Sequence, residues 1–258
     1  MAEQGSIVLV KIGGSTLGAQ DTAVADAAAL SKKGHRPIVV HGGGAMISDW
    51  MARLGVRAEF VDGLRVTDEA SLEVVAGVLA GVINKRLVQE LSAAGALASG
   101  ISGADGGLLR GRVDRPELGR VAASVEVDPA PLLRLLDDGC VPVVAPLALE
   151  HSEGRGLLNV NADTAAGAIA AAVGAERLVF LTDVDGVLDG SGHLMRRVPR
   201  EEVERLIAEG VIAGGMIPKA RACLAAAAAG APGYIVNGTR PNALLRCMEG
   251  AETGTAIG

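Results

Sequence analysis

Apolar positions along this chain follow two rhythms. Short uninterrupted runs at Ile7–Ile12 and at residues 36–41, 141–149, 177–182 and 234–237 have the aliphatic and β-branched content of strands buried on both faces of a parallel sheet. Between them apolar residues recur at helical spacing, over residues 21–33, 45–54, 199–209 and 241–248, and predict helices. The longest such stretch, residues 68–94, repeats Leu72, Val75, Leu79, Val82, Ile83, Leu87 and Leu91, so one face is core and the length leaves room for a subunit contact. Asp62 and Gly63 signal a turn, and Asp128 followed by Pro129 opens a helix that stops at Gly139. Residues 96–102 and 108–113 read as short strands around the turn GADGG, with 120–127 as a further strand. Residues 164–173 form an alanine-rich helix, and 254–257 a terminal strand fragment. Strand alternating with helix predicts an α/β protein whose parallel-rich sheet is covered on both faces, with a hairpin inserted.

Several strands end in residues that packing alone does not call for. Lys11 sits at the carboxyl end of the first run, beside Gly13, Gly14 and Ser15, where an ammonium and bare backbone N–H groups make a cationic mouth for phosphate. The alternative is a lysine that snorkels into water. The second run ends at His41 and continues into Gly42, Gly43 and Gly44 before a helix, which is either an anion cradle or a tight turn for close packing. Arg65 beside the 62–63 turn is a guanidinium fork for a carboxylate or a solvated loop arginine. Asn159, Asn161 and Asp163 fall at strand-like alternation and point into one space, unless Asp163 simply caps the following helix. The segment 183–192, DVDGVLDGSG, lacks the order of a calcium loop and reads as a turn or a nucleotide-contacting loop. In GGMIPKA, residues 214–220, Lys219 falls in the first turn of a helix. It is one of five lysines in the chain, and like Lys11 it stands beside paired glycines.

Composition narrows the chemistry. The 258 residues suffice for one large domain or two packed halves, and the net charge of −6 with scattered Lys and Arg excludes a basic stripe for nucleic acid. Three separated cysteines make neither a disulfide framework nor a zinc site, and the four histidines lack metal-ligand spacing. The start of the chain has no signal-like segment, and no apolar run approaches the ~18 residues of a membrane span, so a soluble cytoplasmic protein is expected. There is no Gly-Lys dipeptide and hence no Walker A loop. The kinase HRD and DFG motifs and the G-x-S-x-G elbow are missing as well, and Ile47 breaks the dinucleotide fingerprint after the glycine triplet. Two glycine cradles, two lysines, a carboxylate and an arginine suit phosphoryl transfer, which is mostly positioning and charge neutralisation. A carboxylate acceptor is already ionised and needs no general base.

The ordered set VKIGGS at 10–15, VHGGG at 40–44, DGLRVT at 62–67, NVNAD at 159–163, TDVDGV at 182–187 and GGMIPK at 214–219 resembles the amino acid kinase family, and within it the members acting on N-acetyl-L-glutamate. The resemblance implies an open three-layer αβα sandwich around a mainly parallel eight-stranded sheet. It implies an N-terminal lobe, residues 1–175, for the acyl amino acid and the contact of a homodimer, and a C-terminal lobe, 176–258, for ATP, with Mg2+ carried on the ATP phosphates and no metal site in the protein. Lys11 and Lys219 are then expected to neutralise the transferring phosphoryl group, Asp163 to orient both, and Gly14 and Gly43 to donate backbone hydrogen bonds to it. Gly43, Gly44, Arg65 and Asn159 are expected to hold N-acetyl-L-glutamate. Lys11, Asp183, Val184, Asp185, Gly186, Val187, Leu188, Val211, Ala213 and Lys219 are expected to line the nucleotide. PLALE at 146–150 lacks the glycine usual after that strand and resembles the kinase for carrier-protein-bound aminoadipate or glutamate; HGGG and NVNAD side with acetylglutamate. A regulator that kept the fold without turnover is the other alternative. Arginine-inhibited hexameric members add a helix before the first strand, so the short lead here implies a dimer without that feedback.

Overall fold

A computed structural model describes residues 5–13, 22–151, 156–251 and 253–258. The expected alternation is present. In chain order the first half gives β1 (Ile7–Ile12), α1 (Ala23–Lys32), β2 (Arg36–His41), α2 (Gly44–Arg53), β3 (Phe60–Val61), β4 (Leu64–Arg65), α3 (Glu69–Ala76), α4 (Asn84–Ala93), β5 (Ala98–Ser102), β6 (Leu109–Val113) and β7 (Val121–Val127). The second half gives α5 (Ala130–Asp137), β8 (Val141–Ala145), β9 (Leu147–Glu150), β10 (Leu157–Val160), α6 (Ala162–Ala172), β11 (Arg177–Thr182), β12 (Arg197–Val198), α7 (Val203–Ala208), α8 (Met216–Ala228), β13 (Gly233–Asn237), α9 (Ala243–Met248) and β14 (Thr255–Ile257). Eight strands form one sheet in the order β12-β14-β13-β11-β1-β2-β8-β5. Within that sheet, among the described residues, only the β13–β14 pair is antiparallel. The chain is thus the mainly parallel three-layer sandwich the sequence implied.

Strand parity assigns each side chain of β1 to a layer, because successive residues face opposite sides. Val8, Val10 and Ile12 pack with α1, α4 and α9, whereas Leu9 packs with α6 and α8. Lys11 has the parity of Leu9 and so faces the α6/α8 layer. By the same rule Ile38 and Val40 of β2 face α6 and α8, and His41, with the parity of Val39, faces the layer of the long helix.

Four sequence expectations change. The run 141–149 is not one strand: it divides at Pro146 into β8, in the large sheet, and β9, in a four-stranded barrel with β6, β7 and β10. The strands either side of GADGG do not pair. β5 is an edge of the large sheet, and β6 makes its antiparallel hairpin with β7. The long helix is interrupted by a π-helical segment, Gly77–Ile83, between α3 and α4, which apolar periodicity does not reveal. The alternation of 159–163 ends at Val160, because Asn161 caps α6 and Asp163 lies in its first turn. The 62–63 turn is as expected: Asp62 at φ 50° and Gly63 at φ 77° make the left-handed pair of a type I′ hairpin between β3 and β4.

Candidate active site

Asn161 has the side-chain oxygen an N-cap requires. It accepts from Asp163 N at 2.8 Å and Thr164 N at 3.1 Å, which fixes the first turn of α6 and frees the Asp163 carboxylate for another use. The sequence alternative that Asp163 itself caps the helix is thereby overturned. Asp163 is only 5% exposed and holds one ammonium on each oxygen: Lys11 Nζ lies 2.7 Å from Oδ1 and Lys219 Nζ 3.2 Å from Oδ2. Lys219 also donates to Gly215 O at 3.1 Å, the carbonyl one turn back in α8. Two helices bring these groups together because Gly167 lets them touch; a Cβ there would stand 2.8 Å from Ala222 O. Residues 208 positions apart in sequence thus share one carboxylate, and the cluster keeps a surplus positive charge suited to an anion.

Burial pulls the Lys11 ammonium below the ordinary lysine value of 10.5; Asp163 opposes the shift and Lys219 adds to it. The charge on Lys11 is therefore lost as pH rises through a value lower than that of a free lysine. The kcat/KM profile is expected to fall on its alkaline side before pH 10.5, and a profile flat to that pH would remove Lys11 from the reaction.

Lys11 opens onto a cleft of about 220 Å3 whose wall includes Gly42, Gly43, Gly44, Arg65, Asn159 and Asn161, with Phe60, Leu64, Leu79 and Pro146 as its apolar parts. Arg65 is held from three directions. Its Nη2 donates to Ser48 Oγ at 2.8 Å and Gly44 O at 3.1 Å, Nη1 lies 3.2 Å from Met51 Sδ, and the guanidinium stacks 4.7 Å from the Phe60 ring centroid. Burial lowers its pKa, yet an arginine stays charged at neutral pH. The Thr67 hydroxyl donates to Arg65 O at 3.1 Å and accepts from Asn159 Nδ2 at the same distance, which turns the Asn159 amide. Arg65→Lys keeps the charge but loses the planar fork. It is expected to raise KM for a carboxylate acceptor about 10-fold or more with a smaller change in kcat, read from initial rates. An unchanged KM would place the acceptor elsewhere.

The residues expected at the nucleotide are distributed differently. Val187 is buried in the same core as Ile212, and its N–H donates to Thr255 Oγ1 at 2.8 Å, while Val184 and Leu188 are exposed. Val211 packs on that core and Ala213 is exposed. Asp183 accepts from Thr182 Oγ1. Asp185 is engaged by Asn237 Nδ2 and Arg240, both at 2.7 Å, and lines a second cavity of about 360 Å3 with Arg196 and Arg246. Gly186, at φ 141°, has Thr255 Oγ1 only 2.4 Å from where a Cβ would stand. Gly14 and Ser15 lie outside the described residues. Among the described residues no three His, Cys, Asp or Glu are grouped to hold a metal ion, and no helix is long and apolar enough to cross a membrane. Sequence reading did not assign Ser48, Thr67 or the apolar wall to the site. The one available signal was Asn161 as the better cap.

Residues 6–237 match the amino acid kinase family, and the chain belongs to it. It is similar to the acetylglutamate kinase of Dehalococcoides mccartyi, 42% identical over 255 residues that make up 97% of this chain and 94% of that one. Among solved structures it is similar to smu.665 from Streptococcus mutans UA159, with a TM-score of 0.83 and 26% identity over 97% of this chain and 98% of that one. It is also similar to an N-acetylglutamate synthase from Neisseria gonorrhoeae complexed with coenzyme A and N-acetyl-glutamate, with a TM-score of 0.84 and 26% identity over 98% of this chain but 59% of that one.

Proposed function

We propose that this chain transfers the γ-phosphoryl group of ATP to the side-chain carboxylate of N-acetyl-L-glutamate, giving N-acetyl-L-glutamyl 5-phosphate, a step of arginine biosynthesis. The observation that carries the reading is the Lys11–Asp163–Lys219 cluster beside a cleft that also presents Arg65. In the reaction a carboxylate oxygen of the acceptor attacks the γ-phosphorus while the bond to the bridging oxygen of ADP breaks. Charge spreads over the oxygens of the moving group, and the two ammonium groups, kept apart and aimed by Asp163, neutralise it without reorganising. The backbone N–H groups of Gly43 and Gly14 supply hydrogen bonds to those oxygens. Arg65 pairs with the α-carboxylate of the acceptor, and Gly44 and Asn159 orient its amide. Lys11 and Lys219 with the loops 183–188 and 211–213 hold ATP, whose phosphates bring Mg2+. Residues 1–175 hold the acceptor and the contact of a homodimer, residues 176–258 hold the nucleotide, and the enzyme works in the cytoplasm.

A second reading is carried by Pro146, which lines the cleft where a glycine was expected, and would make the acceptor a carrier-bound aminoadipate or glutamate. A sensor without turnover has no use for the whole cluster. An ADP-release assay offering acetylglutamate, glutamate, aspartate and aminoadipate side by side decides among these. Release with acetylglutamate alone is expected. No release with any free acid, but release with a carrier-linked one, would favour the second reading.

A further inference from the structure

Behind the glycine loop lies a buried polar chain that the reaction as described does not use. His41, the last residue of β2, is fully buried, and its Nδ1 lies 3.1 Å from Gly42 O. A carbonyl only accepts, so Nδ1 carries the proton and Nε2 is left as an acceptor. Nε2 faces Asn84 Nδ2 at 3.4 Å, and an amide nitrogen only donates, so the two contacts require the same tautomer. Burial pushes the His41 pKa down to about 4, which keeps the ring neutral and both bonds compatible near neutral pH. Asn84 is itself fully buried. Its Nδ2 also lies 2.8 Å from Val143 O and 3.2 Å from Ile101 O, so two hydrogens are shared among three acceptors, and its Oδ1 accepts from Lys85 Nζ at 2.9 Å. One amide thus ties β2, β8 and β5 to the start of α4.

The π-helical segment makes this possible. In an α-helix, residues five apart point about 140° away from each other. The i→i+5 hydrogen bond of a π-helix, here from Asn84 N–H to Leu79 O, brings them onto the same side instead. Leu79 and Asn84 are five apart. Leu79 Cδ2 and Ile83 Cδ1 lie 2.9 and 2.6 Å from where a Gly43 Cβ would stand, while Asn84 meets His41 just behind. The segment therefore presses on the middle of the glycine loop and supports its base at once.

The peptide unit at Gly42 gives the arrangement its chemical meaning. Gly42 C=O and Gly43 N–H are opposite edges of one plane. Holding the carbonyl toward His41 aims the N–H the other way. We infer that Asn84 is a positioning residue for phosphoryl transfer: through His41 it fixes the peptide plane from which Gly43 N–H addresses the transferring group. This rests on the function proposed above.

Asn84→Leu and His41→Leu keep apolar bulk while removing the chain of bonds. Each is expected to lower kcat about 10- to 100-fold, less than the ~10²- to 10³-fold of a deleted oxyanion donor because the Gly43 N–H is misaimed and not removed, with KM for acetylglutamate and ATP-Mg changed less than about threefold. His41→Gln, whose amide both donates and accepts, is expected to retain about a third or more of kcat. The double variant Asn84→Leu/His41→Leu is expected to be no slower than either single, since both cut one chain. Nitrogen-15 NMR of the wild-type ring is expected to show the Nδ1–H tautomer, and Asn84→Leu to shift the Nε2 resonance as that nitrogen loses its hydrogen-bond donor. An Asn84→Leu enzyme within twofold of wild-type kcat, additive losses, or an Nε2–H ring in the wild type would each overturn the inference. A wild type inactive on acetylglutamate would instead count against the proposed function, and the ring tautomer would still judge the role of Asn84.

Discussion

Lys11→Met is expected to lower kcat by about a thousandfold while leaving KM for the acceptor within a fewfold of wild type. Methionine keeps the unbranched stem that packs beside the sheet and removes only the ammonium. The loss of one hydrogen-bond donor aimed at developing charge costs about 10²- to 10³-fold in other active sites, and a full charge held in a buried site belongs at or above the upper end. Asp163 keeps Lys219 as a partner after the change, so no buried carboxylate is left alone and the fold is expected to hold. Steady-state kinetics at saturating ATP read the result directly. A variant that loses KM and kcat in equal measure would show that Lys11 serves binding and not the moving phosphoryl group.

Asp163→Asn has the other large effect, and on a different quantity. The amide keeps the shape of the side chain but leaves two ammonium groups facing each other around a neutral group. Breaking a buried ion pair by removing one partner costs about 3–5 kcal/mol, and here one carboxylate serves two cations. The urea midpoint is expected to fall accordingly, with activity near background. A pH dependence identifies the cause. Asp163 is what raises the Lys11 pKa against burial, so without it that pKa drops further. Between the lowered folded value and the ordinary 10.5 the unfolded chain binds more protons than the folded one, so stability rises with pH. The deficit of Asp163→Asn is therefore expected to shrink as pH is raised from 7 toward 10. A deficit constant across that range would assign the loss to packing and not to unpaired charge.

The sheet was legible because its central strands are largely apolar and the first two run into glycines, and the pairing of Lys11 with Lys219 was legible because lysine is rare in this chain and both stand beside glycine pairs. Parity along β1 then explains how the first lysine reaches the layer that holds the second. What escaped was set by longer-range geometry. Pro146 sends β9 into the barrel because of partners far away in sequence, although the apolar run continues through it. The π-helical segment has ordinary helical periodicity in its apolar residues, so Asn84 looked like one more helix position. Asn161 and Asp163 were read as strand neighbours because the capping choice between them depends on where the backbone turns. Gly14, expected to donate to the phosphoryl group, lies outside the described residues.

β1 is bonded to β2 on one flank and to β11 on the other, so both halves of the chain hang on a single strand. The cleft opens beside the Phe60 and Leu64 hairpin, whose strands are only two residues each. Traffic through the cleft is thereby separated from the framework that keeps the lysines in place.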